Sequence, residues 1–227
     1  SEFKVFVEEN FTPFLVQTDG NAEGKFTSYY ESEIHASRSR HDKYVYPVYG
    51  RPADLIELNL KDFDPDLPNM RLVGRVSGQK MLPYYTREEI EKAPFAAPVL
   101  LWGDSAVDIH IMQIQGSAVA KLDDGSSVRI GYADNNGRRF RGIGSILLAK
   151  GLLKPGKADM ISIKKWLNDN PAEAQKLMRE NERYIFHRII EGKGPVGAFG
   201  VPLTAGRSLA VDRRYVPLGA LMWLSTR

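Results

Sequence analysis

The stretch AVDIHIMQIQGSAVAKLDDGSSVRIGYADNNGRRFRGIG, residues 106–144, decides how the rest of the chain is read. In its first part, Ala106 to Gln115, apolar residues alternate with His and Gln (IHIMQIQ), a pattern that predicts a strand. Asp123-Asp124-Gly125 sits between two such runs and fits a hairpin turn, because glycine tolerates positive φ. Ser127 to Tyr132 is then the return strand. From Gly144 the pattern changes: Gly144 to Lys150 predicts a helix closed by Gly151.

Beyond this stretch, Ala158 to Asn168 predicts a second helix and Pro171 to Asn181 a third. Pro171 suits a first helical turn, with Asn170 as its cap. Tyr184 to Ile190 predicts a strand. Gly192 to Gly200 holds four glycines in nine residues and marks a boundary. Leu209 to Leu224 predicts alternating strand and turn. On the other side, Pro98 to Trp102 predicts a strand, and Thr86-Arg-Glu-Glu89 is a capping box for a short helix that stops at Pro94. Met70 to Val76 predicts another strand, and Phe26 to Tyr49 two or three more. Phe3 to Phe11 fits a short helix or a strand. Many short strands with helices grouped at 144–181 predict a β-rich α+β fold. Ala220 to Leu224 predicts a strand with no following strand to pair with, an expectation of a piece of a larger domain.

Composition narrows the function classes. The 227 residues are 43% hydrophobic and 26% charged, which excludes a disordered or coiled-coil chain as the main state. Thirty-one Lys and Arg against 28 Asp and Glu leave a formal charge of +3, a weak warrant for nucleic acid. The densest cationic run is Arg138, Arg139 and Arg141, interrupted by Phe140. No cysteine is present, so these residues hold no thiolate metal site or cysteine nucleophile. No apolar run reaches the ~18 residues of a membrane span.

Several motifs fail on chemical grounds. Gly151 to Ala158 nearly spells a phosphate loop, but Ala158 lacks the magnesium-binding hydroxyl and the segment follows a helix. Asp62, Asp64 and Asp66 alternate like a calcium loop, but Leu67 replaces the turn glycine and Val73 the closing Glu. The four histidines, His35, His41, His110 and His187, have no i, i+4 pairing. A more informative set is Gln113, Gln115, Ser117, Tyr132, Asn135 and Asn136. Neutral amides and hydroxyls beside aromatic rings suit sugar hydroxyls and N-acetyl groups, and equally suit cross-strand hydrogen bonding plus a turn.

An ordered set of motifs then carries a resemblance. Ile114-Gln-Gly-Ser117, Gly131-Tyr-Ala-Asp-Asn-Asn-Gly137, Arg141-Gly-Ile-Gly144, and the run from Gly200-Val-Pro-Leu through Asp212 to Pro217-Leu-Gly219 come in sequence. Phe26-Thr-Ser-Tyr-Tyr30 precedes them, with Tyr46-Pro-Val-Tyr49. Together they resemble the membrane-bound lytic murein transglycosylase A family over nearly the whole chain. The resemblance implies a double-psi β-barrel, incomplete here, formed from residues 1–30 and 195–227. A smaller β domain with a few helices, residues 31–194, would be inserted into it, with a substrate groove between the two.

The implied reaction cleaves the β-1,4 bond between N-acetylmuramic acid and N-acetylglucosamine in peptidoglycan and leaves 1,6-anhydro ends. It needs no metal or cofactor. One aspartic acid acts as acid and then base, while the muramic acid 6-hydroxyl is the nucleophile; the general acid must have a raised pKa. That aspartate falls, in the family's order, after the Pro-Leu-Gly segment and beyond Arg227, so the catalytic residue is unknown and Asp212 is supporting only. By motif, Thr27 and Tyr30 would line the groove entrance, Gln115, Gly116 and Ser117 the inserted domain, and Tyr132, Asn136 and Gly137 the opposing turn. Two small departures are Ala118 and Ser28, where the family tends to carry Gly. The implied partners are peptidoglycan glycan strands and cell-wall synthesis proteins, not nucleic acid. The implied location is the periplasm, with outer-membrane anchoring through a segment outside these residues. A non-catalytic glycan-binding protein on the same fold is the alternative.

Overall fold

The computed structural model describes residues 2–17, 20–23, 32–92, 94–192 and 194–225. The chain divides into two compact units, Ser1–Tyr30 and Glu31–Arg227. In the first, Glu2–Asn10 forms helix α1, which settles the helix-or-strand ambiguity at the N-terminal end. Asn10 Nδ2 donates back to the Phe6 carbonyl at 2.9 Å, and Phe6 meets Phe11 edge-on.

The second unit is built on a six-stranded sheet: β1 (Ser32–Ser37), β2 (Tyr46–Tyr49), β6 (Val99–Gly103), β7 (Ser117–Leu122), β8 (Ser127–Asn135) and β9 (Ile185–Ile190). Its spatial order is β2-β6-β1-β7-β8-β9. Among the laddered neighbours of the described residues, β1 and β7 run parallel, Ser32 opposite Ala118, and the others are antiparallel. The sheet's edges meet at one isolated bridge, Gly50 with His187, and no closed barrel forms among the described residues. A second, three-stranded antiparallel sheet comprises β3 (Ile56–Asn59), β4 (Arg71–Ser77) and β5 (Lys80–Pro83).

The hairpin expected at Asp123-Asp124-Gly125 is present, with Gly125 at φ +82° joining β7 to β8. The capping box also forms at the start of α2 (Arg87–Lys92). The Thr86 N–H donates to Glu89 Oε2 at 2.7 Å, and the Glu89 N–H donates to Thr86 Oγ1 at 3.3 Å. Three further helices, α4 (Ile143–Ala149), α5 (Met160–Asp169) and α6 (Pro171–Arg179), fall where the sequence places them. Asn170 precedes α6, but its side chain donates to the Trp166 carbonyl and does not cap the helix.

Two expectations are corrected. Residues 106–115 form helix α3 (Ala106–Gln115), not a strand. Ser105 accepts from the Asp108 N–H at 3.2 Å at one end, and Gly116 closes the other in the left-handed region at φ +85°. The helix is sandwiched. Ile109 and Met112 pack into a sheet core with Ile34, Ala36, Leu101 and Ile130. Val107 and Ile111 pack into a second core with Ile146, Leu147, Leu167 and Leu177 of the helices. A helix covered on both sides needs no polar stripe, so its sequence loses the 3.6 period and imitates a buried strand. Leu209 to Leu224, expected to alternate strand and turn, contains no strand among the described residues. Among the described residues no ladder partner lies beside it, and Trp223 is 95% exposed.

Candidate substrate groove

At the C-terminal end of α3 the chain turns at Gly116 into β7, while β8 ends in a bulge between Tyr132 and Asp134. The bulge sends these neighbours to opposite environments. Tyr132 is 44% exposed, whereas Asp134, Asn135 and Asn136 are buried. A cavity of about 300 Å³ opens here. Gln113, Ile114 and Gly116 form its α3 side, Tyr132 and Phe140 its aromatic walls, and Arg87, Asn181, Arg183 and Ile185 the remainder. A second depression of about 480 Å³ shares Phe140 and is lined by Arg139, Arg141, Glu180 and Glu182.

The turn after β8 is held from within. Asn136 is 0% exposed; its Nδ2 donates to the carbonyls of Tyr85 and Glu182, both at 2.8 Å. Its Oδ1 accepts from the Tyr184 N–H at 2.9 Å and the Arg138 N–H at 3.3 Å. The structure places Asn136, expected as a substrate contact, behind the cavity: its amide is engaged by backbone, and it frames the cavity instead of lining it. Gly137 belongs to the same frame. Its φ is +69°, and a Cβ there would lie 2.6 Å from Val73 Cβ, so the close approach it permits is to β4.

The other expected residues divide. Tyr132 and Gly116 line the cavity; a Cβ on Gly116 would meet nothing, so only its positive φ requires glycine. Tyr132 also accepts from Asn135 Nδ2 at 2.6 Å through its hydroxyl oxygen, which fixes the ring. Ser117 is the first residue of β7, opposite Gly131. Gln115 is exposed at the end of α3, and Gln113 takes the cavity position. Residues two apart share a face in a strand but diverge by roughly 200° in a helix, so reading α3 as a strand grouped these two amides wrongly. Thr27 and Tyr30 lie outside the described residues.

Three residues of this region escaped the sequence reading. Arg87 is 2% exposed, with Nε on the Asn181 carbonyl at 3.0 Å, Nη2 on the Arg183 carbonyl at 2.7 Å and Nη1 on Glu91 at 3.1 Å. Its guanidinium also lies 5.1 Å from the Tyr184 ring centroid. Asn181, also buried, accepts from the Arg141 N–H at 3.0 Å. Arg87 and Asn181 thus position the 181–184 segment. Arg183 is the third, and its half-buried side chain faces the cavity. A signal for Arg87 existed in its place just inside the capping box, but nothing local marks an arginine as buried.

Neither prominent aspartate is poised to donate a proton. Burial pushes the Asp134 carboxyl up, but Arg51 Nε at 2.7 Å, the Asn135 N–H at 2.7 Å and Arg71 Nη2 at 2.5 Å prevail and hold it below the usual range. Asp134 thereby ties β8 to the three-stranded sheet. Asp212 is exposed and gripped by Arg214, whose hydrogen bonds also lower its pKa. Ser37, His41 and Asp42 form a string reminiscent of a nucleophilic triad, with His41 Nε2 3.2 Å from Ser37 Oγ and Nδ1 3.1 Å from Asp42. Asp123, however, sits 2.8 Å from the same Nε2. Hydrogen bonds to Asp42 and Asp123 raise the His41 pKa, which favours the protonated ring and makes it a poorer acceptor for a Ser37 proton, and Ser37 is buried. No cluster of three or more His, Asp or Glu fit to hold a metal occurs among the described residues.

Comparison with known proteins places this architecture. The family model described as the MltA specific insert domain matches residues 25–188. Membrane-bound lytic murein transglycosylase A of Escherichia coli K12 is 29% identical over 201 residues, 87% of this chain and 48% of that protein. The monoclinic crystal structure of MltA from Neisseria gonorrhoeae is similar at 33% identity and TM-score 0.75, covering 85% of this chain and 56% of that one. The crystal structure of E. coli MltA with bound chitohexaose is similar at 26% identity and TM-score 0.64, covering 85% of this chain and 51% of that one. The chain spans about half the length of the curated relatives it matches. With the insert-domain match running from residue 25 to residue 188, the chain belongs to the MltA family.

Proposed function

We propose that this chain is the glycan-holding part of a peptidoglycan lytic transglycosylase, which cleaves the β-1,4 bond and leaves 1,6-anhydro-muramic ends. The observation that carries this reading is the cavity walled by Tyr132 and Phe140 at the α3–β7 junction, within the matched insert domain. Exposed aromatic rings beside amide groups suit sugar faces and N-acetyl groups. A relative of this fold is known with chitohexaose bound.

In this reading residues 31–194 form the insert, and residues 1–30 and 195–227 belong to a barrel domain. Thr27 and Tyr30 stand at the groove entrance, and Gln115, Gly116, Ser117 and Tyr132 follow the sugar chain. The general acid is assigned to neither Asp134 nor Asp212, since each is kept ionised by arginine. The location is the periplasm, with association to the outer membrane; no described helix is long and apolar enough to cross a membrane. Cell-wall synthesis proteins are further partners.

The test is mass spectrometry of peptidoglycan digested by the full-length protein, with binding of the 227-residue chain to glycan strands in parallel. Anhydro ends support the reading. Reducing ends alone would refute it, and binding without cleavage by the full-length protein would leave a glycan-binding protein.

A further inference from the structure

The two depressions that share Phe140 carry an imbalance of charge. Arg87 is engaged where it lies, by an ion pair with Glu91, which also takes Arg179, and by two carbonyls. Arg141 pairs with Glu180 at 3.3 Å, and Glu180 also takes Lys150 at 2.9 Å. Arg183 in the first cavity and Arg139 in the second have no ion-pair partner among the described residues. Glu182 is the single carboxylate of the two linings outside an ion pair there. Of the side chains lining the two depressions, two guanidiniums and one carboxylate thus stand outside ion pairs among the described residues, and the exposed Phe140 ring is common to both linings.

Guanidinium groups in a part-enclosed site favour an anion with oxygen pairs, carboxylate above all. Gln113 adds an amide requirement: it is buried, lines the first cavity, and its Oε1 has no donor among the described residues. A ligand offering both a carboxylate and an amide N–H would answer both features.

N-acetylglucosamine residues are neutral. Muramic acid carries a lactyl group that ends either in a free carboxylate or in an amide-linked peptide with its own carboxylates. We infer that Arg139 and Arg183 bind a carboxylate on the muramic-acid substituent of the sugar chain, so that this protein selects anionic wall polymer over neutral N-acetylglucosamine oligomers. This inference rests on the glycan-holding role proposed above. The aromatic walls hold the sugar, and the two arginines select the substituent.

The experiment measures affinity of the chain for three probes: chitohexaose, peptide-free glycan strands bearing lactyl carboxylates, and uncrosslinked strands bearing peptides. The wild type is compared with Arg139→Gln, Arg183→Gln and the double variant, each checked by thermal melting. A charge-assisted contact predicts a preference of about tenfold for an anionic probe, falling as salt rises. The double variant should lose the preference for the anionic probes. A gain already complete with peptide-free strands assigns the carboxylate to the lactyl group; a gain only with peptide-bearing strands assigns it to the peptide. Equal affinity for all three probes, or a preference unchanged in the double variant, would overturn the inference while leaving glycan holding intact. Failure to bind any probe would remove the proposed function and this inference with it.

Discussion

Replacing Asn136 separates a framing role from a ligand-binding one. Its side chain makes three good hydrogen bonds to main chain: to the carbonyls of Tyr85 and Glu182, and from the Tyr184 N–H. Those bonds join the end of β8, the approach to α2 and the lead-in to β9. Asn136→Ala removes them and leaves buried backbone groups unpaired. At roughly 1 kcal/mol for each net bond, with part of the desolvation cost added, the loss comes to about 3–5 kcal/mol. For a unit of this size that lowers Tm by roughly 10 °C. Asn136→Asp keeps the shape but turns a carboxylate oxygen toward two carbonyls, so at neutral pH it should be at least as damaging. Urea denaturation followed by tryptophan fluorescence measures both variants; the midpoint should fall with the slope unchanged. Wild-type midpoints in both variants, together with lost glycan affinity, would refute the framing argument and restore Asn136 as a ligand contact.

Other substitutions test neighbouring claims. Gly137→Ala combines a strained φ with a clash against Val73 and should cost about 3 kcal/mol, whereas Gly116→Ala meets only the φ penalty, about 1 kcal/mol; denaturant midpoints should rank them so. Ser105→Ala removes the α3 cap and should lower stability by about 1 kcal/mol without altering the denaturation slope. Acid titration of stability tests His110 and His187, whose ring nitrogens find no partner among the described residues. Burial holds both pKa values down, His187 to about 4, and a nearby Arg87 charge adds to the effect at His110. A depressed histidine pKa means that the unfolded chain takes up protons first. Stability is therefore full above about pH 6.5 and declines as pH falls toward 4, with His187 alone costing about 2 kcal/mol by pH 5. His41 acts with the opposite sign, since its raised pKa stabilises below about pH 6.5. Folding stability at pH 5 equal to that at pH 8 in the wild type, or an unchanged slope in His187→Phe, would contradict the burial account.

What could be read from sequence depended on whether the signal was local. The 123–125 hairpin, the Thr86 capping box and helices α4 to α6 rest on turn and cap chemistry within a few residues, and the structure contains them. Helix α3 was misread because its environment is set by two cores made from distant segments, and only Ser105 and Gly116 at its ends betray it. The candidate site shows the same division. Tyr132 and Gly116 were named from motif and do line the cavity, and Asn136 and Gly137, named likewise, form its frame. Arg87, Asn181 and Arg183 were missed because their positions follow from a packing of α2 against the 181–184 segment that no local pattern encodes.

The pairing of β1 also governs how the chain can fold. Its two neighbours in the sheet, β6 and β7, are both formed by residues far downstream, with Ala36 opposite Gly103 and Ser32 opposite Ala118. During synthesis β1 therefore leaves the ribosome long before either neighbour exists, a segment with open edges and no partner. Closing loops of that length, one of them into a parallel pair, is slow compared with hairpin or helix formation. The β7–β8 hairpin and the α4–α6 helices need only local contacts, so β1 is expected to insert after them, and pulsed hydrogen exchange should show late protection at Ile34 and Ala36. Until it is paired, both edges of β1 offer unpaired backbone groups to any other chain nearby.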